Sequence, residues 1–96
     1  MPLRQQMTDR RESVRHRERG MALLKPVHVD MPPITGVLVD ASQDGFRVRH
    51  LYGGFQPSQI VSYIHRVREG MARVIWHLAT DGEFETGFEY LDVPKQ

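Results

Sequence analysis

The chain has 96 residues, which is enough for one domain with a modest hydrophobic core. Apolar residues make up 40% and charged residues 26%, and no apolar run approaches the roughly 18 residues that a membrane span needs. There is no cysteine, which excludes disulfides, thiol catalysis and thiolate metal sites, and fits a cytoplasmic protein. The first residues lack the apolar stretch of a signal peptide, so secretion is not expected.

The net charge of +1 is unevenly distributed along the chain. Residues 1–30 carry seven basic and four acidic side chains, whereas residues 31–96 carry six basic and eight acidic ones. Five arginines lie within residues 10–19 alone. Binding to duplex DNA requires several phosphates to be neutralised at once, so this balance argues against DNA and favours a small anionic ligand.

The N-terminal part of the chain differs from the rest in its pattern of apolar residues. Residues 1–19 have almost no apolar periodicity and are predicted to form a flexible arm, followed by a β domain over residues 20–96. The first predicted strand, residues 21–29, contains Pro26, which lacks the N–H that a central strand donates. We therefore expect this strand to break at Pro26 or to lie at an edge.

The remaining pattern predicts further strands separated by turns, at residues 34–40, 46–51, 58–69, 72–78 and 84–91. Segment 46–51 alternates strictly, which predicts that Phe46 and His50 are buried and that Arg47 is exposed. Segment 58–69 also has apolar residues at helical spacing, but its β-branched and aromatic content favours a strand. About six short strands of this spacing indicate an all-β antiparallel barrel or sandwich.

Two motifs stand out from this pattern. Arg11 and Arg15 form RxxxR, with Arg10 directly before it. After 24 intervening residues, Asp40, Ser42 and Gly45 form DxSxxG in the loop after a strand. With this pair of motifs the chain resembles the PilZ domain family of bacterial cyclic di-GMP receptors over roughly residues 10–92. The resemblance implies a six-stranded antiparallel β-barrel of the PilZ-like, split-barrel type. The helix that often follows the last strand in this family is not expected here.

The residue types suit such a ligand independently of the family name. Cyclic di-GMP offers two phosphates and two guanines, and a guanidinium binds phosphate through two donors in a planar fork. The same fork matches the O6 and N7 acceptors of guanine. A carboxylate such as Asp40 can accept from the guanine N1–H and amino group, and Ser42 can donate or accept nearby. Gly45 is expected to adopt positive φ or to let the ligand approach closely.

Each motif also has a purely structural interpretation. The arginines could belong to a solvated arm, and Asp, Ser and Gly are common in hairpin turns for local reasons. Trp76 is predicted to be a core residue, because it alternates with Val74 and Leu78. The five histidines show no metal-binding spacing, and no catalytic signature is present, so neither a metal site nor an enzyme is expected.

These observations favour a non-enzymatic cyclic di-GMP receptor with the binding residues Arg10, Arg11, Arg15, Asp40, Ser42 and Gly45. We expect ligand binding to order the arm and to alter the surface that an unidentified downstream protein recognises, with the receptor itself a monomer or weak homodimer. One alternative is a protein-interaction barrel that does not bind nucleotide. Another is a small barrel for single-stranded nucleic acid, which would need exposed aromatic residues on a basic face.

Overall fold

Alternating apolar residues along the chain form strands that bury one face around a common core. The computed structural model describes residues 16–17, 20–66 and 68–91. The strands are β1 His16–Arg17, β2 Met21–Pro26, β3 Ile34–Ala41, β4 Gly45–His50, β5 Ile60–His65, β6 Arg68–Thr80 and β7 Glu83–Tyr90. The described residues contain no helix, and hence none that could cross a membrane.

The strands close into a barrel. Hydrogen-bonded neighbours follow the order β3-β2-β5-β6-β7-β4, and β4 returns to pair with β3, so all six strands have a partner on both sides. Every pairing is antiparallel. The predicted six-stranded antiparallel barrel is therefore confirmed. The two-residue β1 is an addition that pairs with β3 beyond the end of β2.

Local sequence signals explain most strand ends. Pro26 is the last residue of β2 and pairs only with Val61 of β5, because the pairing of β2 with β3 stops at Leu24. A missing N–H is harmless at that place. Asp81 and Gly82 both have positive φ, at 48° and 83°, and form the tight turn between β6 and β7. The ambiguous segment 58–69 is strand and not helix, as predicted, but it is not one strand, because β5 ends at His65 and β6 begins at Arg68.

The core is aromatic at its centre. Phe46 stacks on Phe88 with ring centroids 4.9 Å apart and also contacts Tyr63 at 4.9 Å and Tyr90 at 5.3 Å. All four side chains are at most 5% exposed. Val48 and His50 continue the buried face of β4, whereas Arg47 and Arg49 lie on its outer face. The alternation predicted for β4 is therefore confirmed, and the outer face of this strand is left for polar contacts.

Two histidines share one hydroxyl inside the barrel. Thr86 Oγ1 lies 2.7 Å from His50 Nε2 and 2.8 Å from His77 Nδ1. The backbone N–H of Tyr52 donates to His50 Nδ1 over 3.1 Å, so His50 is neutral with its proton on Nε2. Burial, with a smaller repulsion from His77, lowers the pKa of His50 to about 4.

This histidine makes the barrel sensitive to acid. The pKa of His50 is lower in the folded protein than the 6.5 of a free imidazole, so the unfolded chain binds the proton more readily. Its contribution to the free energy of unfolding is full above about pH 6.5 and falls as the pH decreases towards 4, by at most about 3 kcal/mol. The unfolding temperature, measured from pH 7 to pH 4, should therefore fall less steeply with decreasing pH in His50→Gln than in the wild type. His28→Gln, at an exposed position, is the control and should follow the wild-type profile. If the unfolding temperatures of His50→Gln and the wild type fall in parallel with decreasing pH, His50 is not the source of the acid sensitivity.

Candidate functional site

The DxSxxG motif forms the turn between β3 and β4. Asp40 is near the end of β3, Gly45 begins β4, and the N–H of Ser42 donates to the carbonyl of Gly45 over 2.8 Å. The Ser42 hydroxyl accepts from the N–H of Asp44 over 3.3 Å. The serine therefore closes its own hairpin turn, and any ligand contact would come in addition to that role.

Gly45 is required by the packing of two strands. Its φ does not lie in the positive range, which among the described glycines only Gly20 and Gly82 occupy. A Cβ at this position would instead collide with the carbonyl oxygen of Phe88 in β7. The expectation of positive φ at Gly45 is thus wrong, and the close approach that glycine permits here is that of the neighbouring strand.

The chain that directly follows the RxxxR motif lies beside the DxSxxG motif. His16 pairs with Ala41, and Arg17 pairs with Asp40, in the short antiparallel ladder between β1 and β3. His16 is the residue after Arg15 in the sequence. The three predicted arginines, Arg10, Arg11 and Arg15, lie outside the described residues, as does most of the predicted flexible arm.

The carboxylate of Asp40 is held by an arginine that belongs to neither motif. Arg47 Nε donates to Asp40 Oδ1 over 2.9 Å, and Arg47 Nη2 donates to Asp40 Oδ2. On its other side, Arg47 Nη1 donates to Glu85 Oε2 over 3.3 Å. The hydrogen bond to Asp40 is also the main reason why the pKa of Arg47 is raised, so this guanidinium stays charged. Asp40, Arg47 and Glu85 form what we call the outer ion-pair row.

Arg49 extends this row away from the loop. Its Nη2 lies 3.1 Å from Glu85 Oε1, and its Nε lies 3.8 Å from Glu83 Oε1. Glu85 therefore bridges two arginines that are successive on the outer face of β4. Such bridged rows fix side chains more firmly than isolated surface pairs do.

Trp76 lies outside the core, contrary to the prediction. A β-bulge between Val74 and Trp76 shifts the register of β6 against β7, so that Val74 pairs with Phe88 and Trp76 with Gly87. Val74 is buried, whereas Trp76 is only partly buried. A Cβ on Gly87 would collide with the indole, so the ring packs over the backbone of Gly87 on the outer face.

Trp76 and Arg47 line one shallow cleft beside the DxSxxG turn. The cleft has a volume of about 330 Å³ and runs over the outer surface of β4, β7 and β6. Its lining includes the charged residues Asp44, Arg47 and Glu89, and Trp76 is the partly exposed aromatic residue among those that line it. Within the described part of the chain, no group of three or more His, Asp or Glu side chains could hold a metal ion.

Arg47, Glu85 and the outward position of Trp76 were not predicted from the sequence as parts of this site. Alternation did place Arg47 on the outer face of β4, where it is found. It could not show that this face meets the outer face of β7 beside Asp40, since that depends on the pairing of strands far apart in the sequence.

The comparisons with known proteins support the fold. One similar solved structure is the inhibitor of motility from Bacillus subtilis, MotI/DgrA, with a TM-score of 0.72 and 22% sequence identity. The match covers 98% of this chain and 49% of that one, so the chain spans about half the length of that protein. No protein-family model and no curated protein matches the chain.

Proposed function

We propose that the protein is a cyclic di-GMP receptor that acts as a non-enzymatic adaptor. The observation that supports this proposal is the ladder between β1 and β3. Because His16 pairs with Ala41, the residue next to Arg15 lies against the DxSxxG turn, although 24 residues separate the two motifs. An arginine-rich segment that leads directly into this ladder, together with a turn that carries a carboxylate and a hydroxyl, suits a ligand with both phosphates and guanines.

In this proposal the site consists of Arg10, Arg11 and Arg15 together with the turn residues Asp40, Ser42 and Gly45. The arginines bind phosphate and guanine, while the turn supplies the surface on which the ligand rests. Binding orders the N-terminal arm against the barrel and so changes the surface offered to a downstream protein. The name of the similar Bacillus subtilis protein, an inhibitor of motility, is compatible with a regulatory role of this kind.

Calorimetric titration with cyclic di-GMP tests the proposal. We expect a dissociation constant in the micromolar range, about −8 kcal/mol, and no comparable heat from GMP or from a single-stranded oligonucleotide. Arg15→Ala should weaken binding by at least about 30-fold, since truncating a desolvated charged contact costs 2 kcal/mol or more. Arg4→Ala is the matched control, because it removes one positive charge from the arm outside the motif, and its affinity should stay near that of the wild type.

The outcomes separate the proposal from its rivals. Absence of heat with cyclic di-GMP at tens of micromolar would overturn the proposal, and binding of the oligonucleotide instead would favour a single-stranded nucleic-acid barrel. Equal affinities of Arg15→Ala and wild type would overturn the residue assignment.

An interaction module without nucleotide binding is the second candidate. It is favoured by apolar side chains on the outer surface of the barrel, where Met21 in β2 pairs with Val37 in β3. These two side chains are 62% and 57% exposed, and Leu23 and Ile64 form a further apolar pair on the same face. Under the receptor proposal this surface is available for the downstream protein. Under the alternative it is the whole function, and the titration above decides between them.

A further inference from the structure

Among the described side chains, Arg47 is a cation that three hydrogen bonds fix beside the DxSxxG turn. Two of its nitrogens hold the two oxygens of Asp40, and the third holds Glu85 from the opposite side. Asp40 is the buried member of this group, with its side chain 9% exposed, whereas the side chain of Arg47 is 35% exposed. Any group that arrives from solvent therefore meets Arg47 more readily than it meets the carboxylate behind it.

The hydrogen-bonding capacity of Arg47 is not exhausted by these contacts. A guanidinium carries five N–H donors, and the bonds to Asp40 and Glu85 use three of them. One N–H on each terminal nitrogen therefore remains for a ligand, as far as the described residues are concerned. Two donors on one rigid plane match two adjacent acceptors, such as O6 and N7 of guanine or two oxygens of a phosphate.

The other side chains of the cleft favour a guanine over a phosphate as the group that Arg47 binds. Asp44 and Glu89 also line the cleft, and Arg47 is already neutralised by the carboxylates of Asp40 and Glu85. Such surroundings repel a phosphate. They suit a guanine, because its N1–H and amino group donate on the edge beside O6, and a carboxylate can accept from them. Trp76, packed flat over Gly87, supplies an aromatic surface in the same cleft.

We propose that Arg47 is a direct contact to a guanine of the bound ligand, through O6 and N7, and that Asp40 is a positioning residue that acts through Arg47. The inference rests on the proposed function, which supplies the guanine-containing ligand. It differs from the assignment drawn from the motifs alone, in which the carboxylate of Asp40 itself meets the base.

Two arginine variants of the same strand test the contact by calorimetry with cyclic di-GMP. Arg47→Met should weaken binding by at least about tenfold, which is the loss of one bidentate base contact. Arg49→Met is the matched control, because Arg49 is also exposed on β4 and paired with Glu85 but does not line the cleft. Its dissociation constant should stay within about twofold of the wild type. Equal effects of the two substitutions would overturn the proposal.

A ligand-side change gives a test on the wild-type protein, where folding is not in question. The 7-deazaguanine analogue of cyclic di-GMP lacks the N7 acceptor, and we expect the wild type to bind it about tenfold more weakly, through the loss of one charged hydrogen bond. In Arg47→Met the difference in affinity between the analogue and the parent ligand should be smaller than in the wild type, because the contact from Arg47 to N7 is already absent. Equal affinity of the wild type for the two ligands would overturn the proposal while leaving the proposed receptor function intact. Failure of the wild type to bind cyclic di-GMP at all would instead defeat the receptor function.

A double-mutant cycle tests the positioning role of Asp40. Asp40→Asn should weaken binding in the wild type but have little further effect in the Arg47→Met background, since both substitutions remove the same contact. Thermal unfolding of each variant establishes that it is folded at the temperature of the titration. If Asp40→Asn costs the same affinity in both backgrounds, Asp40 contacts the ligand independently and its assignment as a positioning residue is wrong.

Discussion

Gly45→Ala is expected to lower the free energy of unfolding by at least about 3 kcal/mol, a large part of the stability of a small domain. The added methyl group would collide with the carbonyl oxygen of Phe88, a backbone atom that cannot rotate away. Relief requires β7 to move from β4 where Gly45 pairs with Glu89, and it would disturb the hydrogen bond from the N–H of Tyr90 to the carbonyl of Asp44, which is 3.0 Å long. Chemical denaturation monitored by circular dichroism measures the loss.

The control for this prediction is a glycine at another turn. Gly82 has a φ of +83°, and nothing lies within 4 Å of a Cβ added there. Asparagine tolerates this backbone conformation, so Gly82→Asn should cost less than about 1 kcal/mol. Gly45→Ala with wild-type stability would show that β4 and β7 are not in the close contact described. If the expected loss is found, reduced ligand binding by a Gly45 variant reports on the fold and says nothing about a direct contact.

Phe46→Ala is expected to destabilise the barrel by about 3–5 kcal/mol, the usual cost of truncating a buried phenylalanine. Phe46 is 1% exposed and lies at the centre of the aromatic core, with Phe88 stacked on it and Tyr63, His65 and Tyr90 around it. These neighbours are on two other strands, β5 and β7, which are separated by β6 in the barrel order, so the cavity cannot close by the shift of one side chain. The same denaturation experiment measures the effect.

Leu51→Ala is the matched control, because this leucine directly follows β4 and is 74% exposed. Its removal should change the free energy of unfolding by no more than about 0.5 kcal/mol. A loss below about 1 kcal/mol for Phe46→Ala would mean that the aromatic residues do not form one packed core.

Strand content and the direction of side chains were largely predictable from the sequence. Strict alternation over 46–51 predicted the buried and exposed faces of β4, and the strands predicted at 72–78 and 84–91 left a gap in which Asp81 and Gly82 form the last turn. Both are short-range signals: burial repeats every two residues in a strand, and a tight turn needs residues that accept positive φ. The DxSxxG turn could be found in the same way, because Ser42 and Gly45 lie close in sequence and bond to each other.

The composition of the candidate cleft was decided by the tertiary structure. Arg47 and Glu85 are 38 residues apart and meet because β4 pairs with both β3 and β7 in a particular register. Trp76 was predicted to be buried because it alternates with Val74, yet one bulge residue reverses its side. The hydrophobic pattern of β6 does not show where a bulge occurs, because the bulge depends on the partner strand. Here Gly87 of β7 has no side chain, and the indole of Trp76 occupies the space above it.

The sequence by itself thus determined the all-β class, the faces of the most regular strands and the position of the DxSxxG turn between two of them. Only the closed barrel decided that His16 lies against Ala41, that Arg47 holds Asp40, and that Trp76 faces outward. The physical reason is the range of the interactions: a strand's alternation is set by neighbours along the chain, whereas register and bulges are set by pairing between strands that the chain brings together only on folding.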